Sequence, residues 1–210
     1  MQYQWTPDGY FRLFISHLSA HSKFACQLRD CLIRHGIAAF VAHEDIKPTN
    51  EWRLMIESAL ETMEGFLALL HPDFHTSEWC DQEVGFAIGT KKLLLAIELG
   101  ARPHGFMGKW QPIHGLGKDH FFTLPREIAE AFASHQLTVQ QMARGAVRAF
   151  RAADSFMEAK DKMLFVESIS AADPSTINLL QEAPNDNGQI YHAWGIRERI
   201  KTVVTKWQNA

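Results

Sequence analysis

Apolar and polar positions run in two alternating periods along the first hundred residues. Residues 12–16 (RLFIS) form a short apolar run of strand type. Ser19 then stands as a candidate N-cap. Phe24, Leu28, Cys31 and Leu32 follow at helical spacing, and Gly36 sits where a C-cap glycine belongs. Residues 37–42 (IAAFVA) read as a second strand. A polar loop covers 43–50 (HEDIKPTN), broken by Pro48 and ending on Asn50, a residue able to cap a helix. Trp52, Met55, Ile56, Ala59, Leu60 and Met63 mark one face of that helix. Residues 65–71 (GFLALLH) are almost continuously apolar, as a strand buried on both faces should be. A third helix is predicted from near Ser77 to about Gly89, and a fourth strand over 93–99 (LLLAIEL). Strands separated by single helices imply right-handed crossovers and a parallel sheet. Ligands of such sheets bind beyond the carboxyl ends of the strands. The loops at 16–19, 43–50 and 72–77 all fall on that edge.

The second half has a different rhythm. Residues 101–118 are rich in Gly, Pro and His and read as a long loop or lid, and 121–124 as a last short strand. Helical patterns then cover roughly 125–135, 138–168, 174–182 and 194–207, with a turn at 183–188 (APNDNG). The expected fold class is therefore α/β: a parallel sheet flanked by helices, with a mainly helical C-terminal appendage. The expected division is residues 1–124, with a core of 10–100, and an extension of 125–210 packed on it.

Bulk properties narrow the partners. Apolar residues make up 46% and charged residues 21% of the 210, which are globular proportions. A formal net charge of -3 gives no footprint for nucleic acid or an anionic membrane. No apolar run approaches the roughly 18 residues of a membrane span. Residues 1–9 lack the apolar core of a signal peptide. Cys26, Cys31 and Cys80 are too few and too odd in number for a disulfide framework, so a reducing cytoplasm is the expected compartment.

Chemistry concentrates on the third helix. Trp79 and Glu83 are four apart and share a face, while Cys80, Val84, Ala87 and Ile88 make a separate apolar stripe for the sheet. A carboxylate beside an aromatic plate at this edge suits an uncharged or cationic sugar-linked ligand. The same residues also fit a solvent-exposed early glutamate that favours the helix dipole. His71, His75 and Cys80 match no common zinc spacing, and no metal is expected. Arg144, Arg148 and Arg151 form a basic stripe, either a solvated face or a surface for an acidic partner or another copy. No glycine-rich phosphate loop of Rossmann or Walker type is present.

The blocks FISHLSAHSKFACQLRDCLIRHGI, FVAHEDIKPTNEW and FLALLHPDFHTSEWCDQEVGFAIG resemble, in order and spacing, the signature blocks of the TIR (Toll/interleukin-1 receptor) domain of bacterial type. The resemblance spans about residues 10–100 and implies a flavodoxin-like parallel sheet. Many TIR domains cleave NAD+ at the nicotinamide–ribose bond, using the glutamate that closes a tryptophan-x-x-x-glutamate pattern. Here that pattern is Trp79-Cys80-Asp81-Gln82-Glu83, so the resemblance implies Glu83 as catalytic and Trp79 as its aromatic neighbour. It also implies substrate contacts from Ser16 and His17 after the first strand, and from Phe40 as an aromatic wall. Glu44 and Asp45, which fit either a solvated loop or substrate contacts, fall with Lys47 in the loop called BB in this family. NAD+ would be the substrate, with no cofactor. Water as nucleophile would give ADP-ribose; an atom of the same ADP-ribose would give a cyclic isomer. Compact TIR proteins of the antiphage Thoeris system make such cyclic signals for a downstream effector. Self-association through the TIR domain is also implied. Ala42 stands where many relatives have an acid and Thr49 where many have glycine, which puts the BB loop's assembly role in question. Two rivals remain: a TIR adaptor without catalysis, and a nucleotide-processing enzyme of related fold such as a nucleoside deoxyribosyltransferase.

Overall fold

The computed structural model describes residues 2–42 and 50–210, with backbone alone for 50–51 and 118–122. A five-stranded, wholly parallel sheet runs β1 (Phe11–Ser16), β2 (Ile37–Val41), β3 (Gly65–Leu70), β4 (Leu93–Glu98) and β5 (Ile113–His114), in the spatial order β2-β1-β3-β4-β5. The first four strands lie within a residue or two of their expected positions. Helices α1 (Ser22–Leu32), α2 (Asn50–Thr62) and α3 (Glu78–Gly89) are the crossovers between them. All six residues of β3 are buried, as its unbroken apolar run requires.

Strand alternation divides the core in two. Phe11, Leu13 and Ile15 of β1 face one side, with Leu28 and Leu32 of α1. Phe14 faces the other side, stacked on Phe66 and Phe40, beneath Ile56, Ala59 and Met63 of α2 and Cys80, Val84 and Ala87 of α3. The expected α2 stripe is therefore the packed one. The Asn50 cap lies outside the described side chains.

The C-terminal half departs from the sequence reading in four places. Residues 121–124 belong to a helix, α4 (Lys118–Ser134), that passes through Pro125. Leu124, Ile128, Ala129, Phe132 and Ala133 are its buried stripe, and that helical period outweighs the local proline signal. The strand expected there comes earlier, as β5, from the stretch read as a lid. Residues 138–168 are two helices, α5 (Val139–Arg151) and α6 (Phe156–Ser168). Between them Ser155 caps α6 by accepting from the Glu158 amide (3.1 Å), while Glu158 accepts from the Asp154 amide (2.8 Å). The turn at 183–188 narrows to Asn187, which separates α7 (Pro174–Asp186) from α8 (Gly188–His192). Its side-chain amide donates to the Arg151 and Ala153 carbonyls, and its side-chain oxygen accepts from the Gln189 amide. The last helix, α9 (Ile196–Gln208), follows Gly195.

The helices after β5 are not a loosely applied tail. They share one continuous apolar cluster with the sheet face that carries Phe11 and Leu13. The closest approach is backbone on backbone. Gly36 has φ +78 at the turn into β2, and Gly145 of α5 lies directly on it. A Cβ on Gly145 would meet the Gly36 carbonyl oxygen at 2.2 Å and the Phe11 amide nitrogen at 2.8 Å. The basic stripe is neither a solvated face nor a partner surface. Arg144 Nη2 donates to both oxygens of Glu64 (2.8 and 2.7 Å), and its Nε donates to the Gly9 carbonyl (3.0 Å). Arg151 pairs with Asp186 and donates to the Leu179 carbonyl, and Arg148 lies against Gly9. Arg144 and Arg151 are spent on internal polar contacts, and Arg148 packs against Gly9 with its Nε buried. Glycine to alanine in an ordinary helix interior gains about 1 kcal/mol. Gly145→Ala is expected to lose about 2–3 kcal/mol instead, since two backbone segments must part. Urea unfolding measures this, and a raised midpoint would contradict the seam.

Candidate functional site

The strand order reverses between β1 and β3: the chain leaves β1 toward β2 on one side and continues from β3 to β4 on the other. A crevice at the carboxyl end of that pair is where doubly wound sheets hold ligands. Ser16, the last residue of β1, is in register with Ala68 of β3 at this point. Helix α3, entered from β3, starts just beyond it. Ser77 caps α3 by accepting from the Cys80 amide (3.3 Å), and the Cys80 thiol contacts the His17 carbonyl (3.7 Å), tying the helix start to the end of β1.

Glu83 does not lie where the sequence reading placed it. It is 7% exposed and falls on the buried stripe with Cys80, Val84 and Ala87. Spacing explains this: positions 80, 83, 84 and 87 form one helical face. The exposed early acids of α3 are Glu78 and Asp81, and they suit its dipole. Trp79 is 45% exposed, so the two residues share a helix but not an environment. Its ring meets Trp52 edge-on at 6.0 Å, with the Arg53 guanidinium 5.9 Å from the ring centre.

The Glu83 carboxylate accepts a hydrogen bond from the Ser16 hydroxyl, Oγ to Oε2, at 2.5 Å. Ser16 is 1% exposed. Burial raises the Glu83 pKa to about 7, and the Ser16 bond partly opposes it. A neighbouring group of imidazoles borders the same edge. His21 and His71 stack at 3.3 Å, and Phe24 meets His71 edge-on. Burial, with His21 and His17 nearby, pushes His71 down to about 4, so it is neutral at pH 7. His17 sits past β1, with Nδ1 3.3 Å from the Ile15 carbonyl oxygen.

Phe40 is placed elsewhere. It is 4% exposed, packed on Phe14 and edge-on to Tyr3 (4.8 Å), and it lines a cavity of about 270 Å³ beside β2 together with Trp52 and Met55. The structure thus brings Ser16 and Glu83 together, while His17 meets α3 through its backbone carbonyl at Cys80. Glu44, Asp45 and Lys47 lie outside the described residues, as do Pro48 and Thr49. Sequence reasoning missed the His21–His71 stack, although both histidines border carboxyl-end loops. Among the described residues no group of histidine, cysteine and acids has the geometry to hold a metal ion, and no helix is long and apolar enough to cross a membrane.

A family model described as "TIR domain" matches residues 13–122, just over half the chain. The crystal structure of the TIR domain of the Toll-related receptor TRR-2 from Hydra magnipapillata, a lower metazoan, is similar at 21% identity. That similarity covers 56% of this chain and 94% of the Hydra one, with a TM-score of 0.46. No curated protein matches.

The electrostatics of Glu83 give a prediction independent of any activity. In the unfolded chain it ionises near 4.5, and in the fold near 7. Between those values the folded state keeps a proton the unfolded state has lost. Glu83 therefore favours folding below about pH 4.5, and that contribution is gone once the pH passes 7. Glu83→Gln escapes the penalty. It should be more stable than the parent by about 1–3 kcal/mol at pH 8, with the gap closing toward pH 5. Urea midpoints of both proteins at the two pH values check this; equal midpoints at pH 8 would contradict it.

Proposed function

The chain belongs to the TIR-domain family, and from that premise we propose that it cleaves NAD+ at the nicotinamide–ribose bond, with Glu83 as the catalytic carboxylate. The observation that supports this reading most is a carboxylate buried at the carboxyl edge of the sheet, at the reversal of strand order, where a purely structural helix would place an apolar residue.

The chemistry suits one acidic side chain. The bond between ribose C1′ and the pyridinium nitrogen breaks, and its electron pair goes to that nitrogen. Nicotinamide leaves neutral and needs no proton. Positive charge develops on the ribose, as in glycoside cleavage. An ionised Glu83 opposes that charge in a poorly solvated setting where the attraction is strong. Water at C1′, losing a proton, gives ADP-ribose. A nucleophilic atom of the same ADP-ribose gives a cyclic isomer. Trp79, exposed at the mouth of α3, offers an indole face to a planar ring. The neutral His71 adds no charge repelling the pyridinium.

TIR domains associate with one another, and a self-associated form is the proposed active state. A soluble ADP-ribose product suits a signal read by an effector, as in antiphage defence. Incubation with NAD+ and chromatography of the products tests the proposal and identifies the isomer by mass. Nicotinamide release should rise with pH through about 7, as Glu83 ionises, and activity per molecule should rise with protein concentration. Glu83→Gln should cost at least about 100-fold. No release at high protein concentration would leave the adaptor reading in its place.

A further inference from the structure

Strand alternation explains why Ser16 meets Glu83. Phe14, two residues earlier on β1, faces the α2–α3 side of the sheet, and Ser16 faces the same way. At this layer an apolar side chain would continue the Phe14–Phe66 core. A serine stands there instead, 1% exposed, with its hydroxyl directed at the one buried acid of α3. The start of α3 is fixed to the same strand end by the Cys80 contact with the His17 carbonyl. Donor and acceptor are thus carried by two elements locked to each other.

The bond is also asymmetric. Ser16 engages Oε2, which leaves Oε1 as the oxygen not committed to it. A hydroxyl donor favours the ionised carboxylate; if Glu83 is protonated, the acid must donate to the serine oxygen instead.

We propose that Ser16 is a positioning residue for Glu83: its hydroxyl fixes one carboxylate oxygen so that the other is presented to the ribose, and the bond it donates favours the charged form. Ser16 then acts through Glu83 rather than on phosphate or ribose directly. The proposal rests on the reading of Glu83 as the NAD+-cleaving carboxylate. Titratable or charged groups on the described elements packed against α3 include Arg12 of β1, Arg53, Glu57 and Glu61 of α2, His75 in the turn before α3, and Glu98 of β4, with His17 just past β1 and His104 beside Asp81 (3.8 Å). On α3 itself are Glu78, Cys80 and Asp81. Burial and the Ser16 bond are the two influences on Glu83; the Cys80 thiol is pushed up first by its own burial, with the Glu83 charge adding to it.

Ser16→Ala removes the donor and leaves burial unopposed. NAD+ cleavage at pH 7 should fall about three- to ten-fold, and the midpoint of the pH profile should move upward. The deficit should shrink at pH 9, where Glu83 is ionised in both proteins. Ser16→Thr, which keeps the hydroxyl, should restore the parent midpoint. Should Ser16→Ala fail to fold, Ser16→Cys replaces it, with the same direction expected from a weaker donor. The Glu83 carboxyl carbon, followed by 13C NMR through the same pH range, should show the same upward shift whether or not NAD+ is cleaved. A parent protein that releases no nicotinamide would therefore remove the catalytic reading, while the NMR titration would still judge the Ser16 link. An unchanged NMR midpoint in Ser16→Ala would overturn the proposal, as would a loss of activity equal at every pH.

Discussion

A carboxylate taken out of water costs several kcal/mol unless its charge is met by hydrogen bonds or an opposite charge. Among the described residues, Glu83 is met by the Ser16 hydroxyl. Most of what is particular to this TIR domain at the sheet edge follows from that contact. It explains a serine at the end of β1 in a layer otherwise apolar. It requires α3 to be pinned to the strand end, which the Cys80 thiol does at the His17 carbonyl, while Ser77 caps the helix start. Burial raises the acid to about 7 and the contact partly offsets that rise, so a small change in its surroundings changes its charge.

Such a poised group needs a rigid frame, and the C-terminal helices contribute to it. Helix α5 lies on the corner between α1 and β2 with no side chain between the backbones, at Gly36 and Gly145. Arg144 neutralises Glu64 just before β3, and Glu64 also accepts from the Arg12 amide (3.0 Å) and guanidinium (3.3 Å) at the start of β1. The two strands that flank the site are therefore held at their amino ends by an arginine from α5. The shared apolar cluster makes these helices part of the same core as the sheet.

Much of this was legible in the sequence, and the failures have physical causes. The strands declared themselves because parallel strands buried on both faces are continuously apolar, as in residues 65–70. Gly36 marked its turn because a positive φ favours glycine. The tail was misread where a local breaker competed with a longer periodic signal. Pro125 suggested a boundary, yet the spacing of Leu124, Ile128 and Phe132 carried the helix through. The break at Ser155 was passed over, because the helical stretch was read through the Ser155–Glu158 capping pattern that the structure uses. At the site, the four-residue spacing of Trp79 and Glu83 put them on one face, apart from the apolar stripe. Helical geometry puts Glu83 with Cys80 and Ala87, and counting from those residues would have shown it buried. Its partner Ser16 is 67 positions away and was singled out as a candidate substrate contact, not as a partner of Glu83. No spacing rule reports a contact of that separation. Arg144 was read as surface for the same reason, because its acid lies 80 positions back.

The most direct measurement is the ionisation of Glu83 itself, followed by 13C NMR of its carboxyl carbon with and without an uncleavable NAD+ analogue. The account predicts a midpoint near 7 in the free protein and a lower one in the complex, where a pyridinium cation sits beside the carboxylate. A midpoint near that of an exposed glutamate, or one that the analogue leaves unmoved, would contradict it.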